Sequence, residues 1–152
     1  MRESNWISFL SLWFALAAPA GAVEYPGPPP GPAQATCSAT DATLQNDAIA
    51  MRWTFRDGRL RPDGLSHKQA AHHLALADSE CFRLVLGQTP DLRPRTLIAS
   101  ELKLAGPPAV KRLEPKPDAV RRGERSGGWE LSARLLSTAP DFGVLWRATL
   151  RD

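Results

Sequence analysis

The side chains best suited to metal chemistry are three histidines, His67, His72 and His73, with Asp78 and Glu80 close behind them. Zinc sites commonly combine imidazoles with a carboxylate. If this stretch is helical, however, His67 and His72 are five positions apart and point from poorly aligned faces. Ordinary surface imidazoles are therefore the preferred interpretation, and no metal ligand is assigned.

Other catalytic chemistry finds no support in the sequence. There is no Gly-x-Ser-x-Gly nucleophile turn and no Gly-x-Gly-x-x-Gly phosphate loop. Asp57, Asp63 and Asp141 adjoin turn glycines or prolines, where a carboxylate satisfies local backbone rather than acting as an acid or base. No catalytic residue and no cofactor is predicted.

Three tryptophans are the candidate ligand-binding residues: Trp53, Trp129 and Trp146. An indole face matches the apolar face of a pyranose, so each is a candidate for stacking on a glycan. Each also lies in phase with aliphatic neighbours along an alternating run. Core packing is therefore the stronger interpretation.

Alternation of apolar and polar residues is the clearest structural signal. It runs through residues 49–56, 81–86, 129–135 and 144–151, and less clearly through 96–104 and 109–113. Asp57-Gly58 follows the first run and predicts a tight hairpin turn, because both residues tolerate positive φ. Short strands punctuated by Pro and Gly predict an all-β fold, an antiparallel β-sandwich.

Residues 66–77 resist this assignment. Ser66-His67-Lys68-Gln69 has capping-box spacing ahead of an Ala-, His- and Leu-rich stretch, which favours a short helix. Neighbouring strands favour a strand instead, since tertiary context often overrides propensity. The sequence leaves the two alternatives open.

The N-terminus resembles a signal peptide over residues 1–22. Arg2 precedes an apolar run from Trp6 to Ala18, and small residues follow, with cleavage expected after Ala22 and Ala20 as the alternative. The run is about 13 residues, shorter than the about 20 that cross a bilayer, so no membrane span is expected after cleavage. We expect a secreted or periplasmic protein.

The processed chain divides into a Pro/Gly-rich linker, residues 23–41, and a β-sandwich domain, residues 42–152. The net charge of +3 is unchanged by loss of Arg2 and Glu3 and is too small to indicate nucleic acid. The densest basic group, Arg121, Arg122 and Arg125, is interrupted by Glu124 and fits a solvated loop.

Cys37 and Cys81 would persist as a disulfide outside the cytoplasm, and such a bridge is worth about 4 kcal/mol in the loop-entropy model. Cys37 lies in the linker-like segment and Cys81 at the head of an alternating run. The sequence leaves open whether they pair.

The stretch from Leu44 to Trp53, with Asn46 inside it, followed by Gly58 and Leu60, resembles a known pattern. It is similar to the "leucine, x, asparagine, strand, glycine, x, leucine" opening of the N-terminal β-supersandwich in secreted, melibiase-type α-galactosidase-like glycoside hydrolases. Residues 74–86 resemble its next strand pair, and residues 145–152 a later strand that in such proteins runs on into a longer sheet. The sequence departs from the pattern at residues 66–71, where the family has an acidic turn with Thr-Gly.

The resemblance implies a non-catalytic module that gives structural support or contacts glycan. In the family, two carboxylates of a following (β/α)₈ barrel perform hydrolysis, and a barrel of about 250 residues is not encoded in this sequence. A truncated reading frame or a domain fragment is therefore expected, with a downstream hydrolase domain and carbohydrate as the expected partners. The alternative is a stand-alone secreted domain that binds carbohydrate or a cell surface.

Overall fold

The computed structural model describes residues 28–87, 95–138 and 142–152. Within them the fold is all-β, as the sequence predicts, and its strand pairs are antiparallel. The predicted signal peptide, residues 1–22, lies outside the described residues. Among the described residues, no helix is both long enough and apolar enough to cross a membrane.

The first sheet is a five-stranded meander in which each strand pairs with the next. Its strands are β1 (Gln34–Cys37), β2 (Asp41–Gln45), β3 (Ile49–Arg56), β4 (Arg59–His67) and β5 (His72–Ala75). The prediction of a linker over residues 23–41 is therefore wrong at its C-terminal end. Proline is absent after Pro32 in this range, so β1 can donate backbone hydrogen bonds and pairs with β2 from Gln34 to Cys37.

The second sheet is built around β10, which pairs with β11 on one side and with both β8 and β9 on the other. Its strands are β8 (Lys103–Leu104), β9 (Ala109–Leu113), β10 (Gly128–Leu136) and β11 (Gly143–Arg151). A separate two-stranded ribbon joins β6 (Arg83–Leu86) to β7 (Arg95–Ile98). Single-turn 3₁₀ helices occupy Ala99–Glu101 and Arg122–Glu124.

The β3–β4 hairpin confirms the turn predicted at Asp57-Gly58. Both residues adopt positive φ, 54° and 68°, which suits a two-residue hairpin loop. The turn brings Phe55 opposite Leu60, and both side chains are buried. The register of β3 against β4 shifts between Arg52 and Trp53, and the two strands pair on both sides of this irregularity.

Residues 66–77 form strand and turn, so the helical alternative is wrong. β4 continues through His67, and β5 returns antiparallel to it, with Ser66 opposite His73. Between the strands the backbone turns at Ala71, whose φ is 53°. The Lys68 amide donates to the Ala48 carbonyl at 2.7 Å, and such cross-strand bonding outweighs the local helix propensity.

The core lies between the two sheets. Its largest fully buried side chains among the described residues are four leucines: Leu60, Leu102, Leu131 and Leu135. Trp53 and Trp146 meet across the sheets edge to face, with ring centroids 5.3 Å apart and an interplanar angle of 71°. The alternating runs of β3, β10 and β11 therefore meet in one apolar layer, as a sandwich requires.

We expect Leu60→Ala to lower the free energy of unfolding by about 2–5 kcal/mol, because truncating a fully buried leucine loses apolar burial and leaves a cavity. Leu60 is 0% exposed. Urea denaturation followed by circular dichroism measures the change. The matched control is Leu145→Ala, since Leu145 is 56% exposed. A similar loss in both variants would contradict the assignment of Leu60 to the core.

Candidate functional site

An open groove of about 310 Å³ lies between the sheets, beside β11. Three separate parts of the chain line it: Met51, Trp53 and Pro62 from the first sheet, Leu76 and residues 79–81 from the segment after β5, and residues 146–148 from β11. Its surface is mainly apolar, with Glu80 and Arg147 at its sides. This combination makes it the candidate binding site.

Two of the three candidate stacking tryptophans meet at this groove. Trp53 is only 6% exposed, and the edge-to-face contact with Trp146 covers part of its surface. Stacking on a sugar needs an open ring face, so Trp53 serves the core. Trp146 is half-buried and lines the groove, which makes it the tryptophan of this pair that a ligand can reach.

Trp129 does not line the groove. It is half-buried, and the Arg112 guanidinium lies 5.6 Å from its ring centroid in a cation–π contact. Arg112 is held there by Asp152, whose Oδ2 accepts a hydrogen bond from Nη2 at 2.8 Å. The arginine occupies a face that a sugar would need, so Trp129 is part of a structural contact.

Glu80, at the side of the groove, is committed to structure. Its carboxylate accepts hydrogen bonds from the Ser100 amide at 2.9 Å and from the Ser100 hydroxyl at 2.5 Å. The Arg61 guanidinium lies 3.9 Å from Oε1. These contacts fix the segment that forms one wall of the groove. No sequence pattern signals these contacts, because Ser100 is far from Glu80 along the chain.

The two cysteines are both free and half-buried. The Cys37 thiol lies 3.7 Å from the carbonyl oxygen of Pro108, and burial, with a smaller effect of Asp41, raises its pKa. Cys81 lines the groove, where burial, assisted by the charge of Glu80, raises its pKa to about 12. The disulfide that the sequence left open is not formed in this structure.

The histidines do not come together as a metal site. The Nδ1 atom of His67 accepts a hydrogen bond from the Ala70 amide at 3.2 Å. His73 pairs with the Ser66 hydroxyl at 3.0 Å. In residues 28–87, 95–138 and 142–152, no three His, Cys, Asp or Glu side chains are grouped to hold a metal ion.

The acidic turn residues and the basic group have ordinary positions where they are described. Asp57 forms the hairpin turn, and Asp63 lies 3.6 Å from Arg52 in an exposed ion pair. Asp141 lies outside the described residues. The three arginines Arg121, Arg122 and Arg125 are exposed on the loop between β9 and β10, as the solvated-loop interpretation expects.

Comparison of the chain with protein-family models, with curated proteins and with solved structures found no match. The resemblance to the melibiase-type N-terminal module therefore stays a prediction.

We expect Cys81 to resist alkylation by iodoacetamide at pH 8, because a thiol whose pKa is raised to about 12 carries almost no thiolate there. Mass spectrometry of the folded chain, with peptide mapping, measures the modification at each cysteine. Alkylation in urea, where both thiols are exposed, is the control and should modify both completely. Rapid modification of Cys81 in the folded chain would show that it is not shielded.

Proposed function

We propose that this chain forms the non-catalytic N-terminal β-sandwich module of a secreted, α-galactosidase-like glycoside hydrolase. Its role is to support the catalytic part of that enzyme. The proposal rests on the pattern that begins at Leu44 and ends at Leu60, and on what its residues do in the fold.

The motif residues lie on β2 and β4 and in the turns on either side of β3, where they set the turns and contribute to the core. Leu44 and Leu60 are 3% and 0% exposed and belong to the same apolar cluster. Asn46 is 5% exposed, and its Oδ1 accepts hydrogen bonds from the Ala48 and Ile49 amides at 3.0 and 2.9 Å. Gly58 supplies the positive φ of the next turn. The proposal is supported by the structural roles of these residues, which set the turns and buried positions of a hairpin meander.

A supporting role also suits the chemistry of the described residues. Glu80 is bound to Ser100 and Arg61, and Cys81 is held as a thiol by its raised pKa. His67 accepts a hydrogen bond from the Ala70 amide at Nδ1. Glu80, Cys81 and His67 are thus tied to their neighbours in the fold rather than free to react.

We expect the gene to continue beyond codon 152 into a (β/α)₈ barrel that carries two carboxylates at the ends of its strands. The longer product should hydrolyse p-nitrophenyl α-galactoside, and the chain of residues 23–152 alone should not. DNA sequencing and a release assay for p-nitrophenol measure the two outcomes. A gene with no such continuation in any frame would remove the main support for the proposal.

The alternative function is a stand-alone secreted domain that binds carbohydrate or a cell surface. The observation that favours it is the apolar groove with the reachable indole of Trp146 and the polar side chains of Ser79 and Arg147. A pyranose can place its apolar face on an indole and its hydroxyls on such polar neighbours.

If this alternative holds, Trp146→Ala should weaken glycan binding by about tenfold, since losing an aromatic contact costs about 1.4 kcal/mol. A glycan array identifies the ligand, and titration calorimetry measures its Kd. Trp146→Phe, which keeps a ring in the core, is the variant to use if the alanine form does not fold. Val120→Ala, on a remote side chain that is 97% exposed, is the control. An array without signal would count against the alternative and would remove carbohydrate as its ligand.

A further inference from the structure

The groove lies where a further strand of the second sheet would run. β11 is the end strand of that sheet, and within the described parts of the chain its other edge pairs with no strand. Its nine residues pair with β10 in continuous register from Gly143 to Arg151, without a bulge. Natural sheets usually protect such long, regular edges, because the backbone groups along them readily pair with another strand.

The residues beside this edge are apolar and incompletely covered. Trp146 and Ala148 form the wall of the groove on the β11 side, and Met51 lies on its floor. In the first sheet Met51 is opposite Leu65, and Leu65 is opposite Leu74, so the three share one face. Leu65 and Leu74 are 37% and 57% exposed. The first sheet therefore offers an apolar strip that the second sheet is too narrow to cover.

We propose that this groove binds a β-strand supplied by the remaining polypeptide of the hydrolase. The source of the strand is the part of the inference that rests on the proposed function. Such a strand adds to β11 through its backbone and places alternate apolar side chains on the strip of Met51, Leu65 and Leu74. Addition of a strand uses both the free backbone edge of β11 and the apolar strip. A sugar would use the apolar floor and leave the row of backbone groups on β11 without partners.

Charge indicates which sequence the strand carries. Arg147 lines the groove, its side chain is 57% exposed, and its ion pair with Glu130 spans 3.8 Å. The acidic residue of the groove, Glu80, has its carboxylate bound by Ser100 and lies beside Arg61, so Arg147 is the charge left for an occupant. If two copies of β11 paired antiparallel over their full length, Arg147 would face its own counterpart, and like charges in opposite positions destabilise a sheet. The strand that fits best has apolar residues facing the strip and acidic residues at the alternate positions, near Arg147.

The probes are two acetylated nine-residue peptides, one alternating Val and Glu and the other alternating Val and Lys. We expect the Val/Glu peptide to bind the purified chain at least tenfold more tightly and to slow hydrogen exchange of the β11 amides. Arg147→Glu should reverse this preference. Nuclear magnetic resonance measures exchange residue by residue, and tryptophan fluorescence follows the Trp53–Trp146 pair during titration.

Ser79→Trp provides a second variant that leaves the core intact. Ser79 is exposed and lines the groove, so an indole there should occupy the position of the added strand. We expect it to weaken binding of the Val/Glu peptide by at least tenfold. Val120→Trp adds the same indole to the remote loop and should leave binding unchanged. The longer gene product should not bind the peptide, because its own strand already occupies the groove.

Three results would overturn the inference. They are binding of neither peptide, a peptide preference that Arg147→Glu leaves unchanged, and dimerisation of the chain through β11 in sedimentation experiments. These results are independent of the gene sequence, which tests the hydrolase itself. Peptide binding without a downstream hydrolase would retain the strand site and overturn only the source of its strand.

Discussion

Burial of alternate apolar side chains between two antiparallel sheets is the interaction on which this structure depends. Leu60 comes from the first sheet, Leu131 and Leu135 from the second, and Leu102 from the segment that leads into it, and none of the four has solvent exposure. Each such side chain contributes about 1.5–3 kcal/mol by leaving water. The two sheets differ in width, with five strands facing a narrower sheet, so the burial is incomplete at one side. The groove is the direct consequence of that mismatch.

Polar contacts hold the ends of the sandwich in place around this core. The side chain of Asp152 accepts hydrogen bonds from the Ala33 amide and from Arg112, both at 2.8 Å, and so joins β11 to the start of the first sheet and to β9. On another side, Arg59 donates to the Ser100 carbonyl at 2.9 Å, and Glu80 binds the same residue. These contacts place Leu102 in the core and the segment 79–81 against the groove. These long-range polar contacts therefore fix the positions of segments that burial of apolar side chains alone would not determine.

The strands could be predicted where one face of a strand is buried and the other is wet. Residues 49–56 alternate because Trp53 and Phe55 point into the core while Arg52 and Arg56 point to solvent, and this pattern is legible in the sequence. β1 has no comparable pattern, because it is a four-residue edge strand with only partly buried residues. β5 is exposed along its whole length, so burial imposes no alternation on its sequence and its residues favour a helix. Its conformation is imposed by pairing with β4, which no local pattern reports.

The groove itself could not be predicted from the sequence. Met51, Ser79 and Trp146 are far apart along the chain, and each has an unremarkable local setting. Alternation identified Trp146 as an inward residue of a strand, but the fraction of its ring left open depends on the width of its own sheet. That width is set by how many strands lie beyond β11, a property of the assembled fold. The indole that closes the core against Trp53 is thus also the side chain that any occupant of the groove must contact.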